Sequence, residues 1–379
     1  MKWITWMVMA VAVGVWGLVG GCKDKGERGS SSEILIGEFA SMTGATATFG
    51  QSSHEGLMLA VEQVNGKGGV LGKRVKVIME DNRSDANEAV TAVQKLISRD
   101  RVVAVIGEVA SKRSLAGGGV CQQYKIPMLS PASTNPMVTQ VGDYIFRICF
   151  TDDFQGGVCA KFAEKRGWKK VAIFTDVAND YSKGLTTGFK DGYKGGAIVT
   201  EESFREGDND FKAQLTKIKS AGPDAVFLPG YYTDVVKVVK QARQLELNVP
   251  FFGGDGWDSP TTLAAGAVMD GCFYTDHYSP DDPRPAVREF IAAYQKKYGR
   301  TPDAMAILGY DSGMVMMDAI KRAGKAEPAA IRDALAATKG FPGASGTITI
   351  DEKRNARKPA FVLELKGGKT HIADTIEPG

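Results

Sequence analysis

The sequence predicts an α/β protein made of two successive doubly wound halves, each a parallel sheet wrapped by helices. Three observations carry this. Short β-branched runs alternate with amphipathic segments along most of the chain, the same rhythm starts again after Cys149, and a few helices and alternating segments are left over at the end. The leftover elements imply that the chain crosses between its two halves more than once.

In the first half, Ile34 to Phe39 reads as a strand. Gln51 to Asn65 reads as a helix, because Leu57, Ala60, Val61 and Val64 fall on one face before a Gly-Lys-Gly-Gly breaker. Val75 to Glu80 is a strand, Asn87 to Arg99 a helix and Val102 to Gly107 a strand, with Met128 to Ser130 and Tyr144 to Cys149 completing the set. The second half begins with a helix over Gln155 to Arg166, then strands over Val171 to Thr175, Ala197 to Phe204, Ala225 to Pro229 and Phe251 to Gly254. Helices over Ser182 to Tyr193, Phe211 to Ser220 and Thr233 to Leu245 lie between them. After Cys272 to Thr275 come helices over Pro285 to Tyr298, Ala304 to Arg322 and Pro328 to Ala337. Gly346 to Asp351, Ala360 to Leu365 and Lys369 to Asp374 read as antiparallel strands. Such a topology places a cleft between the carboxyl ends of two parallel sheets, where α/β proteins bind ligands.

The N-terminus carries a second message. Lys2 precedes an almost wholly apolar run from Ile4 to Val19, the layout of an export signal. The run ends in Val19-Gly20-Gly21-Cys22, and a polar tether, Lys23 to Ser32, follows. This end resembles the lipobox of bacterial lipoproteins, which implies cleavage before Cys22 and lipid on the new N-terminal cysteine. The alternative is an uncleaved anchor, since Ile4 to Gly21 approaches membrane-spanning length. Either way the rest of the protein is expected outside the cytoplasm, on the periplasmic or cell-surface side of a bacterial membrane.

With the leader removed, about 350 of the 379 residues remain, enough for two domains with good cores. A net charge of +3 with dispersed basic residues gives no footprint for nucleic acid. Cys121, Cys149, Cys159 and Cys272 match no metal spacing and form no CxxC pair, so buried free thiols are expected. His54, His277 and His371 are too scattered to suggest a ligand set or a catalytic base. A dinucleotide enzyme is disfavoured, because Ser41-Met42-Thr43-Gly44-Ala45-Thr46 stands where a GxGxxG turn would follow the first strand. No cofactor or metal is expected.

Several stretches, in order along the mature chain, resemble the bacterial branched-chain amino-acid-binding proteins. They include Ile34-Leu35-Ile36-Gly37 with Thr43-Gly44, Asn65 to Gly72, Asp81-Asn82, Val105-Ile106-Gly107 with Ser111, and Pro127 to Thr134. Asp180-Tyr181 with Gly184, Asp210-Phe211, Pro229-Gly230-Tyr231, Gly253 to Trp257 and Tyr310-Asp311 continue the likeness, and Gly346 to Asp351 closes it. The resemblance implies the type I periplasmic-binding-protein fold: two Rossmann-like lobes joined by a three-stranded hinge, with the ligand trapped by closure. Lobe 1 is then 34–149 plus 277–347 and lobe 2 is 150–276 plus 348–379, with crossings near Cys149, His277 and Thr347 to Asp351. It further implies a monomeric, non-enzymatic partner of an ABC importer's permease and ATPase.

A free amino acid presents two charges and a side chain, and a closing cleft must pair both charges. Hydroxyl residues at helix N-termini suit the carboxylate. Ser111 and Thr134 match the family's carboxylate-binding Ser and Thr, with Ala132 and Ser133 beside them; the plainer role for each hydroxyl is a helix cap. Asp255, between glycines, matches a position where well-known members carry Glu, and so is the candidate for the ammonium group; the plainer role is a turn. Tyr181 and Tyr231 match family tyrosines, Phe49 and Trp257 are candidates for the apolar wall, and Met305 is a further one. Ala110 stands where members with a disulfide beside the binding serine have a cysteine, so that bridge is absent. The ligand reading is leucine, isoleucine or valine. Alternatives on the same scaffold are a small amide or aromatic carboxylate, or a sensor role.

Overall fold

The computed structural model describes residues 32–377. Cys22, the signal peptide and the tether lie outside the described residues. Among the described residues no helix is long and apolar enough to cross a membrane.

Among the described residues fourteen strands run in chain order: β1 Glu33–Ala40, β2 Arg74–Asp81, β3 Ala104–Ile106, β4 Met128–Ser130, β5 Ile145–Arg147, β6 Lys170–Asp176, β7 Ala197–Phe204, β8 Ala225–Phe227, β9 Phe251–Gly253, β10 Cys272–Asp276, β11 Phe341–Gly343, β12 Gly346–Ile348, β13 Ala360–Lys366 and β14 Lys369–Ile376. They form a five-stranded sheet in the order β2-β1-β3-β4-β5 and a seven-stranded sheet in the order β14-β13-β10-β9-β8-β6-β7. The first is parallel throughout. The second is parallel from β7 to β10, and β13 and β14 extend its edge in antiparallel sense.

The two sheets repeat one winding. Each starts on an inner strand, lays the second strand on one side, then builds the third, fourth and fifth on the other side. The direction reverses between β1 and β3 in one sheet and between β6 and β8 in the other. Crevices open at the carboxyl ends of strands on either side of such a reversal. The chain passes between the sheets three times, between Arg147 and Asp152, between Asp276 and Pro285, and between Ile348 and Ala360.

Most predicted elements are present, with ends shifted by a few residues. The predicted helix over Gln51 to Asn65 starts earlier, at Ala47, and runs to Gly66. It crosses the late helix Ala304–Ala323 on glycines: a Cβ on Gly56 would overlap the Ala306 carbonyl oxygen, and one on Gly309 would overlap that of Ser53. Backbones this close leave room for hydrogen only.

Two features differ from the sequence reading. The helix Ser111–Tyr124 follows β3, where the sequence reading places a helix start at Ser111 but no extent. Its Gly117-Gly118-Gly119 run blurs the apolar pattern, yet Gly117 is what lets it lie on β1, since a Cβ there would come 2.6 Å from the Phe39 ring. Of Gly346 to Asp351, expected to join the final strands, Gly346–Ile348 pairs instead with Phe341–Gly343 as a separate two-stranded ribbon, β11-β12. The four described cysteines are buried and free. Cys149 lies just beyond β5 rather than within it, because pairing with β4 ends at Arg147.

Candidate functional site

The predicted residues converge where the two crevices face one another. Phe49, Val109, Ser111, Ala132, Thr134, Tyr181, Tyr231, Asp255, Gly256 and Met305 line one small cavity. It encloses about 200 Å³ of space between atoms. Each comes from the carboxyl-end side of its sheet or from a helix packed there. Ser111 follows β3 and Thr134 follows β4, while Tyr231 follows β8 and Asp255 follows β9.

On the first-sheet side the hydroxyls are not spent as helix caps. Ser111 is the first residue inside its helix, whose N-cap is Ala110, and its Oγ accepts the Asn135 N–H at 3.2 Å. The turn carrying Thr134 is held from beneath. Arg147, fully buried at the end of β5, donates to the Ser133 carbonyl at 2.6 Å and the Asn135 carbonyl at 2.7 Å, and the Asp152 N–H donates to the Thr134 carbonyl at 2.9 Å. Together these give an anion two hydroxyls and a helix N-terminus.

The second-sheet side supplies aromatic rings and a carboxylate. Tyr181 and Tyr231 stack with centroids 5.2 Å apart and planes 9° from parallel. The Tyr181 hydroxyl accepts the Gly256 N–H at 3.0 Å, tying the loop that carries Asp255 to the helix Asp180–Gly192. Burial raises both tyrosine hydroxyls well above their usual range, so they are neutral hydrogen-bonding groups. Asp255 is 3% exposed; its Oδ2 lies 3.0 Å from His277 Nε2 and its Oδ1 is buried without a partner. Such an oxygen calls for a donor.

Two candidates do not reach the cavity lining. Ser133 turns its hydroxyl inward to the Glu108 carbonyl at 2.8 Å and the Val109 carbonyl at 2.9 Å, locking the turn instead of facing the cleft. Trp257 is fully buried in the second-sheet core and donates its indole N–H to the Leu228 carbonyl at 3.0 Å. An indole with its donor engaged in the core has no free edge for a ligand. Sequence reasoning missed Val109 and Gly256 in the lining and His277 behind Asp255. Val109 and Gly256 sit inside or beside quoted motifs; His277 had no such signal.

Around this centre the two sides are also joined directly. Asn135 Nδ2 donates to the Asp180 carbonyl at 2.8 Å, Thr48 Oγ1 and Ser259 Oγ lie 3.0 Å apart, and the Ala304 N–H donates to Asp258 Oδ2 at 2.6 Å. Beneath the helix Ser111–Tyr124, Arg113 and Glu108 form a buried pair at 3.1 Å. A larger groove, with about 2300 Å³ of space between atoms, runs along the third crossing between Thr349 and Lys358. It gathers none of the predicted residues, so the small cavity is the candidate site.

This arrangement defines a protein that encloses a small ligand between two lobes, with donors for an anion on one wall and a carboxylate on the other. The chain belongs to the periplasmic-binding-protein family, whose model matches residues 33–370. It is 31% identical over 355 residues to the Leu/Ile/Val-binding protein BraC3 of Rhizobium johnstonii, covering 90% of this chain and 94% of that protein. Among solved structures, it resembles the leucine-binding protein LivK of Thermotoga maritima, with a TM-score of 0.88 and 40% identity over 91% of this chain and 99% of that one. It is also similar to the branched-chain amino-acid transporter substrate-binding protein LivJ of Streptococcus pneumoniae in complex with isoleucine, with a TM-score of 0.87 and 33% identity over 91% of this chain and all of that one.

Proposed function

We propose that this chain is the substrate-binding component of an ABC importer, capturing leucine, isoleucine or valine outside the cytoplasm and delivering it to the permease and ATPase. The observation that carries this reading is the cavity itself, where Ser111 and Thr134 face Asp255 across an apolar wall of Phe49, Val109 and Met305. Ser111, Thr134 and the helix N-terminus take the ligand carboxylate, and Asp255 takes the ammonium group. The wall takes the aliphatic side chain, whose burial contributes about 1.5–3 kcal/mol. A neutral or purely anionic ligand would leave Asp255 Oδ1 buried without a donor, at a cost of about 1–3 kcal/mol or more for a charged group.

The lobes in this reading are 34–149 with 277–347 and 150–276 with 348–379. They close about the three crossings, and the ligand drives closure because it binds the closed state more tightly than the open one. The chain works as a monomer, held to the membrane by lipid on Cys22, and it catalyses no reaction. Calorimetric titration of unfolded and refolded protein from Ser30 onward tests the ligand reading, with leucine, isoleucine, valine, alanine, phenylalanine, glutamate, benzoate and acetamide. Tight binding confined to the aliphatic amino acids supports it. Binding of benzoate or acetamide with the amino acids silent overturns the role of Asp255.

A further inference from the structure

Asp255 is short for its task, and the structure places a second residue against it. β9 and β10 are neighbouring parallel strands, so the residues just beyond their carboxyl ends lie side by side. Asp255 follows β9 and His277 follows β10, and His277 Nε2 sits 3.0 Å from Asp255 Oδ2. The imidazole is completely buried and fixed on its other sides. Its ring stacks on Phe150, from the first crossing, at 3.6 Å between centroids and 22° between planes, and its backbone N–H donates to Asp276 Oδ1 at 2.7 Å. His277 Nδ1 is buried without a partner. This geometry favours a neutral ring with its proton on Nε2: the carboxylate oxygen needs a donor there, and an imidazolium would also bury an unpaired N–H donor at Nδ1. Burial does most to lower the ring's proton affinity; the hydrogen bond and charge of Asp255 raise it and the charge of Lys358 lowers it, leaving it below that of an ordinary imidazole.

We infer that His277 is the positioning residue of the ammonium site: its Nε2–H binds Asp255 Oδ2 and turns the carboxylate so that Oδ1 is left for the ligand. The inference rests on the amino-acid reading of Asp255 and deepens it. A glutamate reaches further by one methylene, and here the imidazole behind a shorter acid fixes which oxygen faces the cavity. His277 touches no ligand in this arrangement; it acts through Asp255 and sets how strongly the site prefers an α-amino acid over the same molecule without its amino group.

The test is calorimetry with leucine and with its deaminated counterpart 4-methyl-2-oxopentanoate, on the unaltered protein and on His277→Leu, His277→Gln and Asp255→Asn. The expected result is that His277→Leu lowers the leucine-to-keto-acid affinity ratio by at least about tenfold, as loss of a hydrogen bond to a charged group would. His277→Gln, which keeps an amide donor, restores most of the ratio, and Asp255→Asn removes the preference. If His277→Leu weakens both ligands equally, or leaves the ratio intact while Asp255→Asn abolishes it, the positioning role is overturned and the ammonium assignment stands. An unchanged ratio in Asp255→Asn overturns both. Nitrogen NMR of ¹⁵N-histidine protein needs no variant: a neutral Nε2–H imidazole that shifts on adding leucine supports the inference, and an Nδ1–H tautomer or a cation sinks it.

Discussion

Phe49 and Tyr231 meet edge to face with ring centroids 5.5 Å apart and planes at 88°, joining the helix beside the first sheet to the loop that follows β8 in the second. Phe49 makes a second such contact with Tyr232, at 5.0 Å and 71°. The contact lies at the cavity wall, where residues from the two sheets' sides meet. A double-mutant cycle of Phe49→Ala and Tyr231→Ala, read by leucine calorimetry, is expected to show a coupling of about 0.5–1.5 kcal/mol. Strict additivity would mean that the rings fill space independently.

In the proposed site Ser111 offers the ligand a hydroxyl hydrogen, because its oxygen already accepts the Asn135 N–H and Ala110, not Ser111, holds the N-cap position of its helix. Ser111→Ala should weaken leucine binding by about 1.5–3 kcal/mol, the worth of a hydrogen bond to a carboxylate. Thermal melting of the unliganded variant should stay close to that of the parent. Full affinity in the variant would return Ser111 to a purely structural role.

Glu108 and Arg113 form their pair beneath the same helix, each under a tenth exposed. Glu108 also receives the Ser41 hydroxyl at 2.6 Å and Asn82 Nδ2 at 3.1 Å, so its charge is built into the loop after β1. Arg113→Leu strands that carboxylate and should destabilise the protein by about 3–5 kcal/mol in urea unfolding. Adding Glu108→Gln should recover part of the loss; no recovery would show that packing around Arg113 matters more than charge.

His54, on the first helix, lies 2.6 Å from Glu38 on β1. The Glu38 hydrogen bond raises the imidazole's proton affinity, burial opposes it, and the charges of Glu38 and Glu55 add to the rise against Lys297. A folded-state value above the unfolded one means that the protonated pair stabilises the fold fully below the unfolded value of about 6.5, and that this is lost as pH rises through the folded value. The stability difference between the parent and His54→Gln should therefore shrink from pH 6 towards pH 9 in urea titrations. A difference independent of pH would place the contribution in packing.

The order of strands and helices was legible because burial imposes periods on sequence: β-branched runs for strands covered on both faces, helical spacing for Leu57, Ala60, Val61 and Val64. The extent of the helix Ser111–Tyr124 was not legible beyond its start at Ser111, because its fit to Phe39 depends on glycines, which carry no periodic signal. Ser111, Thr134, Tyr181, Tyr231 and Asp255 were picked out through motifs, and all five line one cavity. Ser133 and Trp257 carried the same kind of signal, but their hydrogen bonds are spent on the Glu108, Val109 and Leu228 carbonyls.

By itself, then, the sequence determined the alternating architecture and the chemical types gathered at the strand ends, since both follow from local residue order. Only the tertiary structure decided which side chains face the cavity and which are consumed in the core. His277 shows why. It reaches Asp255 because β9 and β10 are adjacent in the sheet, and strand adjacency is a long-range pairing that spacing along the chain does not encode.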